Sequence, residues 1–182
     1  MKKKRYVLLD RDGTIIVEKN YLSHPDDVEL IPGVLDALKK LKKLGLGLLV
    51  ITNQSGVGRK YFDLDTLSKI HQKLTDLLLE NGVALDDIYF CPHTPGDNCL
   101  CRKPKIGLVE KAMTKHNFEA KLCFVIGDNK ADIELGKNIG ATTILVRTGY
   151  GEKVIQDGSI KPSFVVRNLL AAADVIGKII TK

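Results

Sequence analysis

The chain opens its patterned part with a short apolar run, Tyr6-Val7-Leu8-Leu9, that charge bounds on both sides and a glycine soon ends. Such a run reads as a buried strand, here Tyr6 to Asp10. Helical spacing follows from Gly33 to Leu44, introduced by Pro32 and stopped by Gly45, and then a second run, Gly47 to Thr52, apolar throughout from Leu48 to Ile51. An uninterrupted apolar strand is what a sheet covered on both faces requires. Leu67, Ile70, Leu74, Leu77 and Leu78 recur at helical intervals and predict a helix over Asp65 to Asn81, ended by Asn81-Gly82. Short strands are predicted at Asp87 to Phe90, Leu122 to Ile126, Thr142 to Val146 and Ser163 to Val166. Helices are predicted at Lys105 to His116, Asn129 to Ile139 and Asn168 to Ile179. Strands alternating with helices imply right-handed crossovers and a doubly wound parallel α/β sheet. The 182 residues show no internal repeat and no low-complexity stretch, so a single domain over residues 1–182 is expected.

Sheets of this kind bind ligands outside the carboxyl ends of their strands. Asp10, Thr52, Cys91 and Asp128 all fall there. The first of these ends carries Asp10-Arg11-Asp12-Gly13-Thr14. Side chains two positions apart leave a strand on one side, so one carboxylate can attack phosphorus while the other handles the leaving group's proton. Gly13 lets the chain turn away and Thr14 can cap the segment after it. A calcium loop also uses Asp-x-Asp-Gly, but here Ile15, Ile16 and Val17 come next and the twelfth position is Tyr21, not a glutamate.

Thr52-Asn53-Gln54-Ser55-Gly56 offers a hydroxyl and backbone amides suited to a phosphate, although a plain strand-to-helix turn uses the same residue types. Gly127-Asp128-Asn129 follows another apolar strand, so Asp128 is expected to face the crevice of Asp10. With a backbone carbonyl near Asp12 the two carboxylates would suffice for Mg²⁺, which takes oxygen ligands and keeps several waters. Asp132 is open to two readings, a site residue or an acid favoured by the N-terminus of its helix. Cys91-Pro92-His93 and Cys99-Leu100-Cys101 place three thiols and an imidazole within eleven residues, a ligand set for structural zinc. The intervening Thr94, Pro95, Gly96, Asp97 and Asn98 are turn formers. Cys123, in a strand, reads as core.

Composition narrows the function classes. Hydrophobic content of 44% and charged content of 27% are those of a soluble globular protein. No apolar stretch approaches membrane-spanning length, and the apolar run behind the basic start Met1 to Arg5 is too short for a signal peptide, so a cytoplasmic protein is expected. The net charge of +6 comes from scattered lysines, and five Tyr, five Phe and no Trp leave little for base stacking, which argues against a nucleic-acid partner. No membrane partner is expected, and a monomer is.

Asp10-x-Asp12-Gly13-Thr14, Thr52-Asn53, Lys103 and Gly127-Asp128-x-x-x-Asp132, in that order, resemble the four motifs of the haloacid-dehalogenase (HAD) phosphatase superfamily. The match runs from about residue 6 to 150. The Thr52-to-Gly56 segment, together with Cys-x-His and Cys-x-Cys-Arg-Lys-Pro, resembles within it the heptose-bisphosphate 7-phosphatases, with histidinol-phosphate phosphatases as near relatives. The resemblance implies a Rossmann-like HAD fold without a separate cap domain and a Mg²⁺-dependent phosphoric monoester hydrolase with a small phosphorylated sugar as substrate. It makes Asp10 the nucleophile and Asp12 the acid and then the base. It makes Thr52 and Asn53 holders of phosphoryl oxygens and Lys103 the neutralising cation, with Asp10, Asp12 and Asp128 around Mg²⁺ and Cys91, His93, Cys99 and Cys101 around Zn²⁺. Arg102, Gln54, Ser55, Asn129 and the segment Glu18, Lys19, Asn20, Tyr21 would contact substrate. Asn129 departs from the lysine expected in heptose members. Histidinol-phosphate hydrolysis and a zinc-stabilised binding module without activity are the competing readings.

Overall fold

The computed structural model describes residues 3–181; Met1 and Lys2, which begin the basic run, and Lys182 lie outside them. Six strands form one wholly parallel sheet: β1 Tyr6–Leu9, β2 Gly47–Asn53, β3 Asp87–Cys91, β4 Phe124–Gly127, β5 Thr142–Val146 and β6 Phe164–Val166. Seven α-helices join them: α1 Val34–Lys43, α2 Ser55–Gly58, α3 Leu64–Glu80, α4 Gly107–His116, α5 Lys130–Asn138, α6 Gly151–Asp157 and α7 Leu169–Ile180. The spatial order is β3-β2-β1-β4-β5-β6. Chain direction across the sheet therefore reverses between β1 and β4, and a crevice opens at their carboxyl ends.

Period-two alternation separates two cores. Val7 and Leu9 of β1, Leu48 and Val50 of β2 and Phe124 and Ile126 of β4 face α1, α3 and α7, meeting Leu38, Leu41, Ile70, Leu74, Ala172 and Ile176. Tyr6 and Leu8, Leu49 and Ile51, and Val125 face the other way, against Leu108, Val109 and Ala112 of α4 and Leu135 of α5. Both faces of the central strands are dry, which is why these runs read as continuously apolar rather than alternating.

Three local expectations differ from the fold. The predicted start of a strand at Leu122 is instead the end of a 3-10 turn, Ala120–Leu122, and β4 begins at Phe124. The helix predicted from Lys105 begins at Gly107, because Lys105 N–H bonds back to the Arg102 carbonyl in a turn. Thr14 caps nothing: its Oγ1 is buried without a partner, while Thr148 Oγ1 donates to the Gly13 carbonyl at 2.6 Å and closes the turn.

Candidate active site

The carboxyl ends of β1, β2 and β4 line a polar cleft of about 320 Å³ that contains Asp10, Asp12, Thr52, Asn53, Gln54, Ser55, Arg102, Lys103, Asp128, Asn129 and Asp132. Backbone hydrogen bonding continues past β1, with Asp10 N–H donating to the Ile126 carbonyl at 2.9 Å, so Asp10 and the start of the β4 exit are locked side by side. Gly13 then turns at φ +73°, and any Cβ there would overlap Asp128 Oδ2; Gly149, at φ +56°, packs against Gly13 and closes on the same oxygen. Only glycine lets backbone approach this carboxylate so closely. Tyr150 N–H donates to Asp128 Oδ2 at 2.7 Å.

Lys103 is the electrostatic centre. Its ammonium is 4% exposed and donates to Asp10 Oδ1 at 2.8 Å, to Asp132 Oδ1 at 2.6 Å and to the Ile51 carbonyl at 2.6 Å. Burial would lower its pKa, but Asp10 and Asp132 outweigh that and hold it raised. One cation does not balance the three carboxylates. Burial, with the charge of Asp132 next, pushes Asp10 up to about 7. Burial and then Asp10 and Asp132 push Asp128 up to about 8. Donor oxygens of Asp10, Asp128 and Asp132 lie within 4.8 Å of one another. Crowded carboxylates with a deficit of positive charge suit a hard divalent cation.

The hydrogen bonds sort these oxygens. Asp132 spends Oδ1 on Lys103 and Oδ2 on the Asn129 N–H at 3.0 Å, so it is at once the capping-box acid of α5 and the brace of the ammonium. Asp10 and Asp128 each keep an oxygen that no protein donor takes in these contacts. The Asp12 carboxylate turns instead to Arg11 and Gln54, accepting from both.

The remaining expected residues divide between the cleft and the protein interior. Thr52 Oγ1 accepts from Gln54 Nε2 at 2.8 Å. Asn53 clamps the Lys103 backbone in both directions, donating to its carbonyl at 3.2 Å and accepting from its N–H at 3.0 Å. That clamp holds the loop carrying the ammonium, so the Asn53 amide is committed to the protein. Gln54 lines the cleft, but its amide is likewise committed, to Asp12, Thr52 and Arg11. Ser55 opens α2 at the cleft wall. Glu18, Asn20 and Tyr21 line the rim; Glu18 accepts from Asn20 N–H at 2.6 Å, and burial raises its carboxyl. Lys19 does not join them: its ammonium turns out to Glu29 at 3.3 Å, while the left-handed turn at Asn20 and Tyr21 (φ +50° and +70°) brings those two neighbours to the rim together. Arg102 reaches the cleft and donates to the His93 carbonyl at 3.1 Å. Asn129 caps α5, accepting from Ala131 N–H, and lines the cleft wall.

Beside Arg102 the four thiol and imidazole groups converge. Cys101 Sγ lies 3.2 Å from Cys91 Sγ and 3.3 Å from His93 Nδ1; Cys91 Sγ lies 3.5 Å from Cys99 Sγ and 3.6 Å from His93 Nδ1. Four ligands at about 2.3 Å around tetrahedral zinc stand roughly 3.7 Å apart, so the set is gathered at close to that spacing. Burial opposes it, but the backbone N–H groups of Arg102 and Cys101 and the neighbouring thiols lower Cys99 to about 7. Cys123 is buried in the second core.

Sequence reasoning missed Arg11, which is wholly buried beneath the site, and the Gly149-Tyr150 turn. The turn had a signal, since Gly149-Tyr150-Gly151 comes soon after strand β5 as Gly13 does after β1. Arg11 had none, because burial of an arginine depends on partners forty residues away.

The chain matches a family profile described as HAD-hydrolase-like over residues 100–172. It is 35% identical to D-glycero-beta-D-manno-heptose-1,7-bisphosphate 7-phosphatase of Pseudomonas putida over 93% of this chain and 97% of that one. Against the Helicobacter pylori protein of the same name, from strain 26695, identity is 42% over 76% and 80%. The crystal structure of D,D-heptose 1,7-bisphosphate phosphatase from B. bronchiseptica, complexed with magnesium and phosphate, superposes with a TM-score of 0.89 at 31% identity, covering 97% of this chain and 99% of that one. The chain belongs to the HAD-like hydrolases, in the family of D-glycero-beta-D-manno-heptose-1,7-bisphosphate 7-phosphatases.

Proposed function

We propose that this protein, as one catalytic domain, removes the 7-phosphate of D-glycero-D-manno-heptose 1,7-bisphosphate in a Mg²⁺-dependent reaction through an aspartyl-phosphate on Asp10. The observation that carries the reading is the Lys103–Asp10 pair at 2.8 Å, set at the reversal point of the sheet beside Asp128. It occurs in a chain whose relatives act on that sugar. Phosphoryl transfer needs positioning and charge neutralisation more than strong covalent reagents. Asp10, held against Lys103, presents its second oxygen to phosphorus. Thr52 and the backbone where α2 begins face the phosphoryl oxygens, and Asn53 keeps Lys103 in reach of them. Asp12 gives a proton to the leaving sugar oxygen and afterwards takes one from the water that releases phosphate. Asp10, Asp128 and a backbone carbonyl near Asp12 would hold Mg²⁺, which would supply charge neutralisation to the phosphoryl group. Glu18, Asn20, Tyr21, Ser55, Arg102 and Asn129 shape the polar sugar side. Cys91, His93, Cys99 and Cys101 would hold Zn²⁺, which would fix the loop from which Arg102 and Lys103 emerge.

The test is phosphorus NMR of the heptose bisphosphate during turnover with Mg²⁺. Loss of the 7-phosphate signal with retention of the 1-phosphate is expected; release from carbon 1 would contradict the assignment.

A further inference from the structure

Among the described residues Arg11 is the largest fully buried side chain, 1% exposed. A guanidinium cannot shed its charge, so burying it is unfavourable unless partners compensate. Among the described residues its ion-pair partner is Asp12 alone. Nε donates to Asp12 Oδ2 at 3.0 Å, and Nη2 donates to Asp12 Oδ1 at 2.9 Å and to Gln54 Oε1 at 2.9 Å. Gln54 closes the frame, its Nε2 donating to Asp12 Oδ2 at 2.8 Å and to Thr52 Oγ1 at 2.8 Å. Nη1 is buried with no protein partner. Every hydrogen bond the guanidinium makes goes to Asp12 or to the amide that holds Asp12. The fold thus keeps an unfavourable buried cation whose contacts all serve the direction of one carboxylate.

That carboxylate needs direction. Asp12 stands two residues from Asp10 and immediately before the Gly13 turn, beside a cluster deficient in positive charge. Unrestrained, it has two destinations, the cation beside Asp10 or the ester oxygen of the substrate. We propose that Arg11, acting with Gln54, is a positioning residue that keeps Asp12 aimed at the ester oxygen. The inference rests on the phosphatase reading above. In the first half-reaction an Asp10 oxygen bonds to phosphorus, the bond from phosphorus to the sugar oxygen breaks, and the Asp12 proton passes to that oxygen. In the second, water oxygen bonds to phosphorus, the bond to Asp10 breaks, and a water proton returns to Asp12. Arg11 keeps its charge throughout and touches neither substrate nor phosphorus.

The experiment compares two esters in the wild type, Arg11→Met and Arg11→Lys. A sugar phosphate expels an alkoxide that needs the proton, whereas p-nitrophenyl phosphate expels a stable phenolate that does not. For kcat/KM, which reports steps through phosphoryl transfer to Asp10, Arg11→Met is expected to lose about 100-fold or more on the heptose bisphosphate and less than about tenfold on p-nitrophenyl phosphate. Arg11→Lys, which keeps the cation but cannot fork, is expected to fall between, and it carries the same comparison if Arg11→Met does not fold. Equal losses on both esters, or no loss in either variant, would overturn the positioning role. A wild type inert on the heptose bisphosphate but active on p-nitrophenyl phosphate would overturn the substrate reading instead, and the Arg11 comparison is then read with histidinol phosphate as the alkyl ester. Inertness on all three esters would overturn both.

Discussion

Replacing Asp128 with Asn is expected to stabilise the Mg²⁺-free protein at alkaline pH, although it removes a group the active site needs. Asp128 is held up to about 8, first by burial and then by the charges of Asp10 and Asp132, against an ordinary value of 3.8. A carboxyl that keeps its proton more tightly in the folded than in the unfolded chain supports folding below 3.8. That contribution is lost as pH rises from 3.8 towards about 8. At about 1.4 kcal/mol per pH unit the full loss would be roughly 5–6 kcal/mol. Asp10, Asp128 and Asp132 crowd one another within 4.8 Å, so ionisation of one is already partly relieved by protonation of its neighbours. The share removed by a neutral isostere at position 128 is then about 2–4 kcal/mol. Asn preserves the acceptor for Tyr150 N–H and the shape that fits between Gly13 and Gly149. For a chain of this size the gain corresponds to a rise in Tm of roughly 4–16 °C. The assay is thermal unfolding of both proteins after dialysis into Mg²⁺-free buffer, which leaves the Cys/His cluster untouched by chelator, across pH 4 to 9. The advantage of the variant is expected to grow with pH, vanish near pH 4, and shrink when Mg²⁺ is restored to the wild type. A wild type at least as stable as the variant at pH 8 without Mg²⁺ would refute the reasoning.

The same geometry carries three more expected outcomes. Asp10→Asn is expected to abolish phosphate release while circular dichroism stays native; near-normal turnover would remove Asp10 as nucleophile. Lys103→Met leaves Asp10 and Asp132 buried without their cation, and is expected to cost about 3–5 kcal/mol in urea unfolding and more than about 100-fold in kcat. Cys101→Ser is expected to lose bound zinc and thermal stability while phosphate release from p-nitrophenyl phosphate falls far less, read by metal analysis alongside turnover. One retained zinc per chain would count against the ligand set.

What could be read from the chain and what could not divides along the range of the interactions. The central strands and the long helices announce themselves because burial leaves a local trace, on both faces for Leu48 to Ile51 and along one stripe for Leu67-Ile70-Leu74, whereas the edge strands β3 and β6 show only as short apolar runs. Asp10 and Asp128 were legible because each follows such a strand. The short helices α2 and α6 left no stripe, being stopped by their glycines within seven residues or fewer. Side-chain direction was hardest. That Lys19 points to Glu29, that Asn53 and Gln54 spend their amides inside the protein, and that Asp132 serves both a cap and Lys103 depend on partners distant in sequence. Arg11 marks the limit, since an arginine between two aspartates reads as exposed until Gln54 arrives from the next strand.

The central claim is tested most directly by kcat/KM for phosphate release by the purified protein with Mg²⁺, comparing both anomers of the heptose 1,7-bisphosphate with histidinol phosphate. The account predicts a strong preference for a heptose bisphosphate and loss of release when Mg²⁺ is withdrawn. Preference for histidinol phosphate, or release that persists without the metal, would contradict it.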